Sequence, residues 1–539
     1  MCSFQRANQG PNGKWTPTPL SLRMLLSTPD PQLKHASGLE NYFFDRYMHT
    51  LLKIFILLGA VILPVLLPLN LIDGRNELGG VRGLDRLSYS NVRLTHTGRY
   101  WVHLVLAVFT ITSVCYTIQR ELRDYARLQS SLNWDAGSCL LFTSRSAKQL
   151  SESTISRRFH KLCGGIYKVK INKDLSSLRA KLRRRDALIR ELETAETILI
   201  MKANNPRNIV RKVDSSNISH RPSMRLPLFP WLPSIPLIGS RVDYIHYLHT
   251  EVARYNLEIE WYQLHPNEFP PANSAFVQFH RTLPIPLVTL ALKARIPPTW
   301  TLKQATMAND TIWNNVSISW SQQCIQTCIV YFLVALLTLG FAFPVAIIGS
   351  LSQIEYLINL APWLRWIPNW LVAVIQGVLP PAMLALITAA VPSAFRLLAN
   401  TQGHHSRQVV ENHVQIYYFT FLFVQVFLTV SLSAGITTLI VDLKNKITST
   451  PVVLAQNLPK ACNYFFSYFL IHTFTTVAST LLEVSSLLSQ FIFSPLFDKT
   501  ARAKWERSQH LGMQNWGIFL PVLTNAACIG TLHSFKLRL

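Results

Sequence analysis

Seven stretches of this chain are long and apolar enough to bridge the hydrocarbon core of a bilayer, which takes roughly 20 residues of helix. They are Leu51–Leu71, Tyr100–Ile118, Cys324–Leu351, Trp366–Leu398, Tyr417–Val441, Tyr464–Leu488 and Trp516–Leu532. In lipid each backbone amide must find its partner within the protein, so such stretches fold as helices. The expectation is a mainly α, polytopic helical membrane protein. Hydrophobic residues make up 49% of the 539, as that architecture requires. The first 45 residues are polar and show no apolar core of a signal peptide.

The net charge of +24 is unevenly placed. Arg120, Arg123 and Arg127 follow the second span, and Arg46 and Lys53 stand at the first. Arg396 and Arg407 flank the turn between the fourth and fifth, and Lys499, Arg502, Lys504 and Arg507 lie between the sixth and seventh. The positive-inside tendency puts all of these on the cytosolic side if the N-terminus is cytosolic. Arg75, Arg99, Lys444, Lys446 and Lys460 dilute the contrast. The layout predicted is a cytosolic segment 1–46, two membrane helices in 47–118, a cytosolic domain in 119–320, and five further spans in 321–539.

The insert 119–320 reads as an α+β domain. Strands are expected at Ser138–Thr143, Ile166–Asn172, "SAFVQF" and "TWTLKQA", and helices at Ser151–Leu162, Leu175–Asn204, Val242–Leu264 and Ile285–Lys293. Ser151 and Ser153 are capping residues for the first helix. Residues 205–240, rich in proline, serine and asparagine, read as a linker. The order resembles a ferredoxin-like or RRM-like fold with helices inserted at its centre. The RRM base-stacking motif is only half present: Ala275, Phe276, Val277 and Phe279 match, but Ala272, Asn273 and Ser274 replace its basic, glycine and aromatic positions. Nucleic acid is therefore not an expected partner. Leu175, Leu178, Leu182, Ile189, Leu192 and Leu199 give the long helix an apolar stripe. Its run Arg183, Arg184, Arg185 makes contact with the anionic inner leaflet one reading, worth about 1 kcal/mol per basic residue, and a solvated helix face the other.

Chemistry in the spans is sparse. No GxSxG, HExxH or P-loop occurs, so neither an enzyme nor a cofactor or metal is expected. His404–His405 read as an ordinary turn, and Cys324 and Cys328, one helical turn apart, as small packing residues. The sixth span carries His472, Thr476, Ser479, Glu483 and Ser486 at steps of four, three, four and three, one polar stripe on a helix. Asn463 and Ser467 extend it. The fifth span offers Gln425, Thr429 and Ser433. Such residues either line a water-filled path or pack helix against helix, and Glu483 could attract a partly hydrated cation. The fourth span holds Gly377, Pro380, Pro381 and Pro392. Prolines weaken the backbone ladder, so this helix is predicted to bend.

Several motifs together resemble one family. "GLENYFFDRYMHTLLKIFILLGAVILPVLLPLN", "GLDRLSYSNV", "LLFTS…YKVKINKDLSSL", "PPANSAFVQF", "ANDTIWNNVSIS", "GVLPPAMLALITAAVPSAFRLLA", "VQIYYFTFLFVQVFLTVSLSAGI" and "NYFFSYFLIHTF" look, in this order, like segments of the OSCA-type calcium-permeable stress-gated cation channels. The match runs from about Gly38 to about Ser534. The resemblance implies an anoctamin-like fold of eleven membrane helices with the ion path among spans three to seven. It implies a non-selective, calcium-permeable channel opened by osmotic or mechanical stress, in the plasma membrane, with cations and membrane lipids as partners. A homodimer through the cytosolic domain is a further expectation. A lipid scramblase and a non-conducting truncated member are the alternatives. The chain departs from the pattern in lacking the first helix and the last three, which implies truncation at both ends. Its "YFLIHTFTT" also replaces a glutamine–glycine step, removing a hinge.

Overall fold

The computed structural model describes residues 8–9, 15–16, 39–72, 98–131, 139–145, 150–159, 165–204, 222–225, 241–280, 299–304, 310–351, 368–429, 462–509 and 516–534. The chain divides into two compact units, residues 1–134 with 532–539, and residues 135–531. In the first, α1 (Leu39–Leu71) and α2 (Gly98–Ser131) form a hairpin. Phe43 meets Tyr125 at 4.9 Å at one end. There Arg46 binds both Glu121 (2.7 Å) and Asp124 (3.0 Å), so one of the flanking cations is neutralised within the hairpin. At the other end Arg99 donates to the carbonyls of Leu69 and Ile72, which close α1. The flanks carry exposed Phe55, Ile56, Trp101 and Ile111, a surface suited to lipid rather than water.

The second unit begins with a four-stranded antiparallel sheet of β1 (Cys139–Ser144), β2 (Ile166–Lys173), β3 (Pro271–Phe279) and β4 (Trp300–Gln304), in the order β2-β3-β1-β4. Helix α3 (Glu152–Phe159) follows β1, and the Ser151 hydroxyl accepts from the Thr154 amide as its cap. Phe142, Ile155, Phe159, Val277 and Trp300 form the core under the sheet. Full burial of each large apolar side chain contributes about 1.5–3 kcal/mol. Val277 and Phe279 of the half-matched motif point into this core. The helix predicted at Ile285–Lys293 lies outside the described residues, as does most of the linker.

Between β2 and β3 stand α4 (Ser176–Ala203) and α5 (Tyr244–Leu264), packed on each other. The Asp243 carboxylate caps α5 by accepting from the amides of Ile245 and His246. The stripe of α4 differs from the predicted one in its second half. Leu188 and Ala195 are buried, not Ile189 and Leu199. A seam of period 3.5 from Leu178 reaches Arg185, Leu188, Leu192 and Ala195. The predicted stripe slipped one residue because Arg185 occupies a seam position that an apolar residue would have marked.

The remaining helices come next: α6 (Trp320–Gly340), α7 (Ala342–Leu351), α8 (Asn369–Thr401), α9 (Arg407–Leu422) continuing as a π-helix over Phe423–Thr429, α10 (Cys462–Leu481), α11 (Val484–Leu488), the polar, charged α12 (Ala501–Gln509) and α13 (Trp516–Ser534). Over both units, four described helices are long and apolar enough to cross a membrane: Tyr42–Leu71, Gly98–Leu128, Trp320–Val345 and Val378–Thr401. A fifth crossing is the pair Phe465–Leu481 and Ser486–Phe497, bent by 52°. Trp516–Gly530 is apolar but shorter. The span predicted at Tyr417–Val441 is described only to residue 429. One hydrophobic core, with Phe395, Tyr418, Phe421 and Leu384 fully buried, joins α6 to α10 and α13.

Candidate ion path and interdomain clamp

Two observations concern backbone shape. Helix α8 runs unbroken from Asn369 to Thr401 through Gly377, Pro380, Pro381 and Pro392. Pro380 and Pro392 are buried, so neighbouring helices hold the weakened ladder in place. A break comes in the sixth span. Residues 482 and 483 form a turn between α10 and α11, and Glu483 has φ 45°. The left-handed conformation costs a residue with a Cβ roughly 1–2 kcal/mol. The stripe His472, Thr476, Ser479 therefore stops at the turn, and Glu483 and Ser486 leave it. A hinge exists here without the glycine.

The other pore candidates are distributed unevenly. Gln425 is completely buried, and its Nε2 donates to the Thr338 carbonyl of α6. Thr429 donates to the Val424 carbonyl (2.9 Å) and to Gln425 Oε1 (3.3 Å). That i−5 bond belongs to the π-turn, which rotates Gln425 into the packed interior. His472 stacks on buried Tyr468, with ring centroids 5.5 Å apart. Thr476 donates to the His472 carbonyl and Ser479 to the Thr476 carbonyl. Ser467 is half-buried, and Ser479 and Glu483 are exposed. Ser433 and the side chains of Asn463 and Pro381 lie outside the described positions. Cys324 and Cys328 are both exposed, so they face away from the bundle core.

The reading of the sequence missed a buried polar seam. Tyr418 donates its hydroxyl to the Thr388 carbonyl of α8 (2.9 Å), and Thr388 donates to Ala385 (3.0 Å). Tyr418, Tyr468 and Thr388 are all buried in the bundle core. Gln402 Nε2 donates to the Tyr417 hydroxyl (2.6 Å). Two adjacent tyrosines inside an apolar run were the available signal, since a buried hydroxyl needs a partner.

The best-defined site is where residues 310–320, the "ANDTIWNNVSIS" segment, grip the turn from α8 to α9. Thr311 bridges Ser406 in antiparallel register. The Ile312 amide donates to the His405 carbonyl (2.8 Å), and the Arg407 amide to the Asp310 carbonyl (3.0 Å). Ser406 Oγ donates to Asp310 Oδ2 (2.7 Å), and Asn315 Nδ2 to the His404 carbonyl (2.7 Å). Gly403 ends α8 at φ +77°, and a Cβ there would come within 3.2 Å of Ile318. A glycine just past a helix end is the usual solution to such a turn. The same segment is tied to the sheet domain. Ser274 Oγ of β3 donates to the Val316 carbonyl (2.8 Å), Arg179 of α4 donates to Asn314 Oδ1 (2.8 Å), and Arg145 lies 4.2 Å over the Trp320 ring.

His404 sits at the centre of this clamp. Its ring stacks on His413 at 4.0 Å, and its Nε2 bonds Gln402 Oε1 (2.8 Å). Burial first, then the neighbouring His413, Lys303 and His405, push its pKa down to about 4. No cluster of metal-ligating residues occurs among the described residues. Behind the turn, Arg396 of α8 pairs with Glu411 of α9 (2.9 Å). Glu411 lies against the first turn of α13, where a Cβ on Gly517 would stand 2.7 Å from the Glu411 carbonyl oxygen. A second tie joins α4 to α12, through Glu193–Arg502 (2.9 Å) and Arg190–Glu506 (3.8 Å). Arg507 of α12 then binds Asp498, holding that carboxyl below its usual range, and Ser489 at the end of the broken span (2.9 Å).

Apolar hairpin helices, a helical bundle and an antiparallel-sheet domain tied to its helix ends define a polytopic membrane protein. Three family models cover most of the chain. Residues 326–535 match one described as "Calcium-dependent channel, 7TM region, putative phosphate". Residues 138–315 match one described as "Cytosolic domain of 10TM putative phosphate transporter", and residues 15–121 one described as "Late exocytosis, associated with Golgi transport". The chain is 29% identical to the uncharacterized protein RSN1 of Saccharomyces cerevisiae, over 97% of this chain and 55% of that one. It is 26% identical to phosphate metabolism protein 7 of the same yeast, over 95% and 53%. It is 24% identical to the hyperosmolality-gated Ca2+ permeable channel 1.5 of Arabidopsis thaliana, over 90% and 63%. The chain spans about half the length of these yeast relatives. It belongs to the OSCA/CSC1 family, whose members include hyperosmolality-gated, calcium-permeable channels.

Proposed function

We propose that a protein built on this chain is a non-selective, calcium-permeable cation channel of the plasma membrane, opened by osmotic or mechanical stress. The observation that carries the reading is the sixth span, a membrane helix broken by 52° at Glu483, an exposed acidic residue in the left-handed region. A jointed helix changes its angle at little cost, and a carboxylate beside the joint attracts cations. The fifth-span residues Gln425, Thr429 and Ser433, and Asn463, Ser467, His472, Thr476 and Ser479, border the path in this reading. Pro380, Pro381 and Pro392 lower the stiffness of α8 beside it. The N-terminus and residues 119–320 face the cytosol, the latter supported by the description of the family matched there. The sheet order β2-β3-β1-β4, with a helix after β1, supports a ferredoxin-like core for that domain, and a homodimer through it remains part of the proposal.

One observation favours a second reading. Thr475, Ser479 and Thr480 are exposed along α10, and an outward polar strip on a membrane helix also suits passage of lipid headgroups. Patch recording under suction, paired with a fluorescent-lipid flipping assay in vesicles, separates the two. A stretch-activated cation current is expected, and Glu483→Gln should lower calcium permeability relative to monovalent ions. Unchanged calcium selectivity removes Glu483 from the path. Flipping without current moves the function to lipid scrambling.

A further inference from the structure

A cavity of about 520 Å³ opens beside the clamp. Its wall includes Trp313 and Asn314 from the clamp segment, Arg396 from α8, and Arg407, Val410 and Glu411 from α9. The volume is that of an ordinary small-ligand site. Its charges are not balanced. Arg396 is spent on Glu411. Asp310, just outside, accepts from Ser406. Arg179 is held by Asn314, with Asp174 and Arg183 as its charged neighbours. Arg407 gives its backbone amide to Asp310, yet among the described residues its guanidinium makes neither an ion pair nor a hydrogen bond. Among the described residues the cavity thus presents a guanidinium fork without a bonded partner beside a partly apolar wall.

Its depth narrows the ligand. By length and composition the candidate crossing segment Val378–Thr401 ends here, which suits a cavity at headgroup level. Trp313, half-exposed at its rim, is the residue type that favours that level. A free guanidinium binds phosphate oxygens in a forked, charge-assisted pair. We propose that this cavity holds the phosphate of an anionic phospholipid, with Arg407 as the principal contact and Trp313 and Val410 against the glycerol and acyl root. The bound lipid touches the clamp segment and both pore-side helices at once. This proposal concerns binding and stands apart from whether the chain conducts.

The test is native mass spectrometry of the whole, delipidated chain in detergent. Dihexanoyl phosphatidic acid, dihexanoyl phosphatidylcholine and inorganic phosphate are titrated separately and in competition. One saturable phosphatidic acid adduct is expected, about tenfold weaker in Arg407→Gln, with the thermal midpoint of that variant unchanged. Arg184→Gln should leave the adduct intact, because Arg184 lies toward Tyr244 of α5 instead. Equal retention of phosphatidylcholine, or an adduct indifferent to Arg407→Gln, overturns the site. Inorganic phosphate that displaces the lipid at equal concentration overturns the lipid assignment and makes a free anion the ligand.

Discussion

At the scale of single residues, the clamp turns on groups whose importance comes from their neighbours. Gly403 and Gly517 could be read in the sequence only as punctuation. Their reasons are a left-handed turn and a carbonyl oxygen that leaves no room for a side chain. His404 reads as an ordinary turn residue until the fold stacks it on His413 beside Lys303 and His405. Its folded pKa of about 4 lies below the ordinary 6.5, so on acidification the unfolded chain takes up the proton first. Stability is therefore full above pH 6.5 and is lost as the pH falls toward 4. Thermal unfolding of the solubilised chain between pH 7 and 5, before carboxylates titrate, should show a falling midpoint. His404→Gln keeps an N–H donor and should flatten that segment of the curve. An unchanged slope would assign the pH dependence to other groups.

At the scale of elements, apolar length and strand alternation made most of the architecture legible. The sheet strands fall within a few residues of their predicted places, and α4 within one at each end. Two of the failures share a cause: helical geometry was assumed uniform. The π-turn at Phe423–Thr429 and the break at Leu482–Glu483 each rotate the residues on their C-terminal side to a new facing, and neither leaves a mark in the spacing of residues. The arginine run of α4 divides in the same way. Arg183 and Arg184 are exposed, whereas Arg185 lies half-buried on the seam, binding Asp186 at 2.7 Å. Only the first two are free to meet an anionic surface. In liposome co-sedimentation, Arg183→Gln with Arg184→Gln should reduce binding of the chain's detergent-free fragment 135–320 to phosphatidylserine vesicles several-fold. Arg185→Gln alone should leave it nearly unchanged. Equal effects of all three would mean that total charge, not placement, governs the contact.

At the scale of the second unit as a whole, the sheet domain meets the helical bundle, among the described residues, at the clamp and through the pairs Glu193–Arg502 and Arg190–Glu506. The second tie is partly exposed, and such pairs contribute about 0.2–1 kcal/mol each. It acts as an adjustable contact beside a fixed one. Arg502→Glu places like charges opposite each other and should lower the thermal midpoint slightly. Adding Glu193→Arg should recover most of the loss, with a coupling of about 0.5 kcal/mol that fades in 1 M salt. Additive effects, or insensitivity to salt, would show that the two helices merely lie side by side. None of these partners was legible beforehand, because more than 300 residues of sequence separate them and charge alone does not name its mate.

The bond from Asn315 to the His404 carbonyl has a consequence for biogenesis. Asn315, Val316 and Ser317 form an acceptor sequence for N-linked glycan. The amide nitrogen that would carry the sugar is the one that donates to His404 at 2.7 Å. A sugar on that nitrogen would leave it a single hydrogen and would have to lie beside the carbonyl that the amide now bonds, so glycosylation at Asn315 and closure of the clamp compete for the same atom. Exposure of this segment to the glycosylating compartment should therefore weaken the clamp.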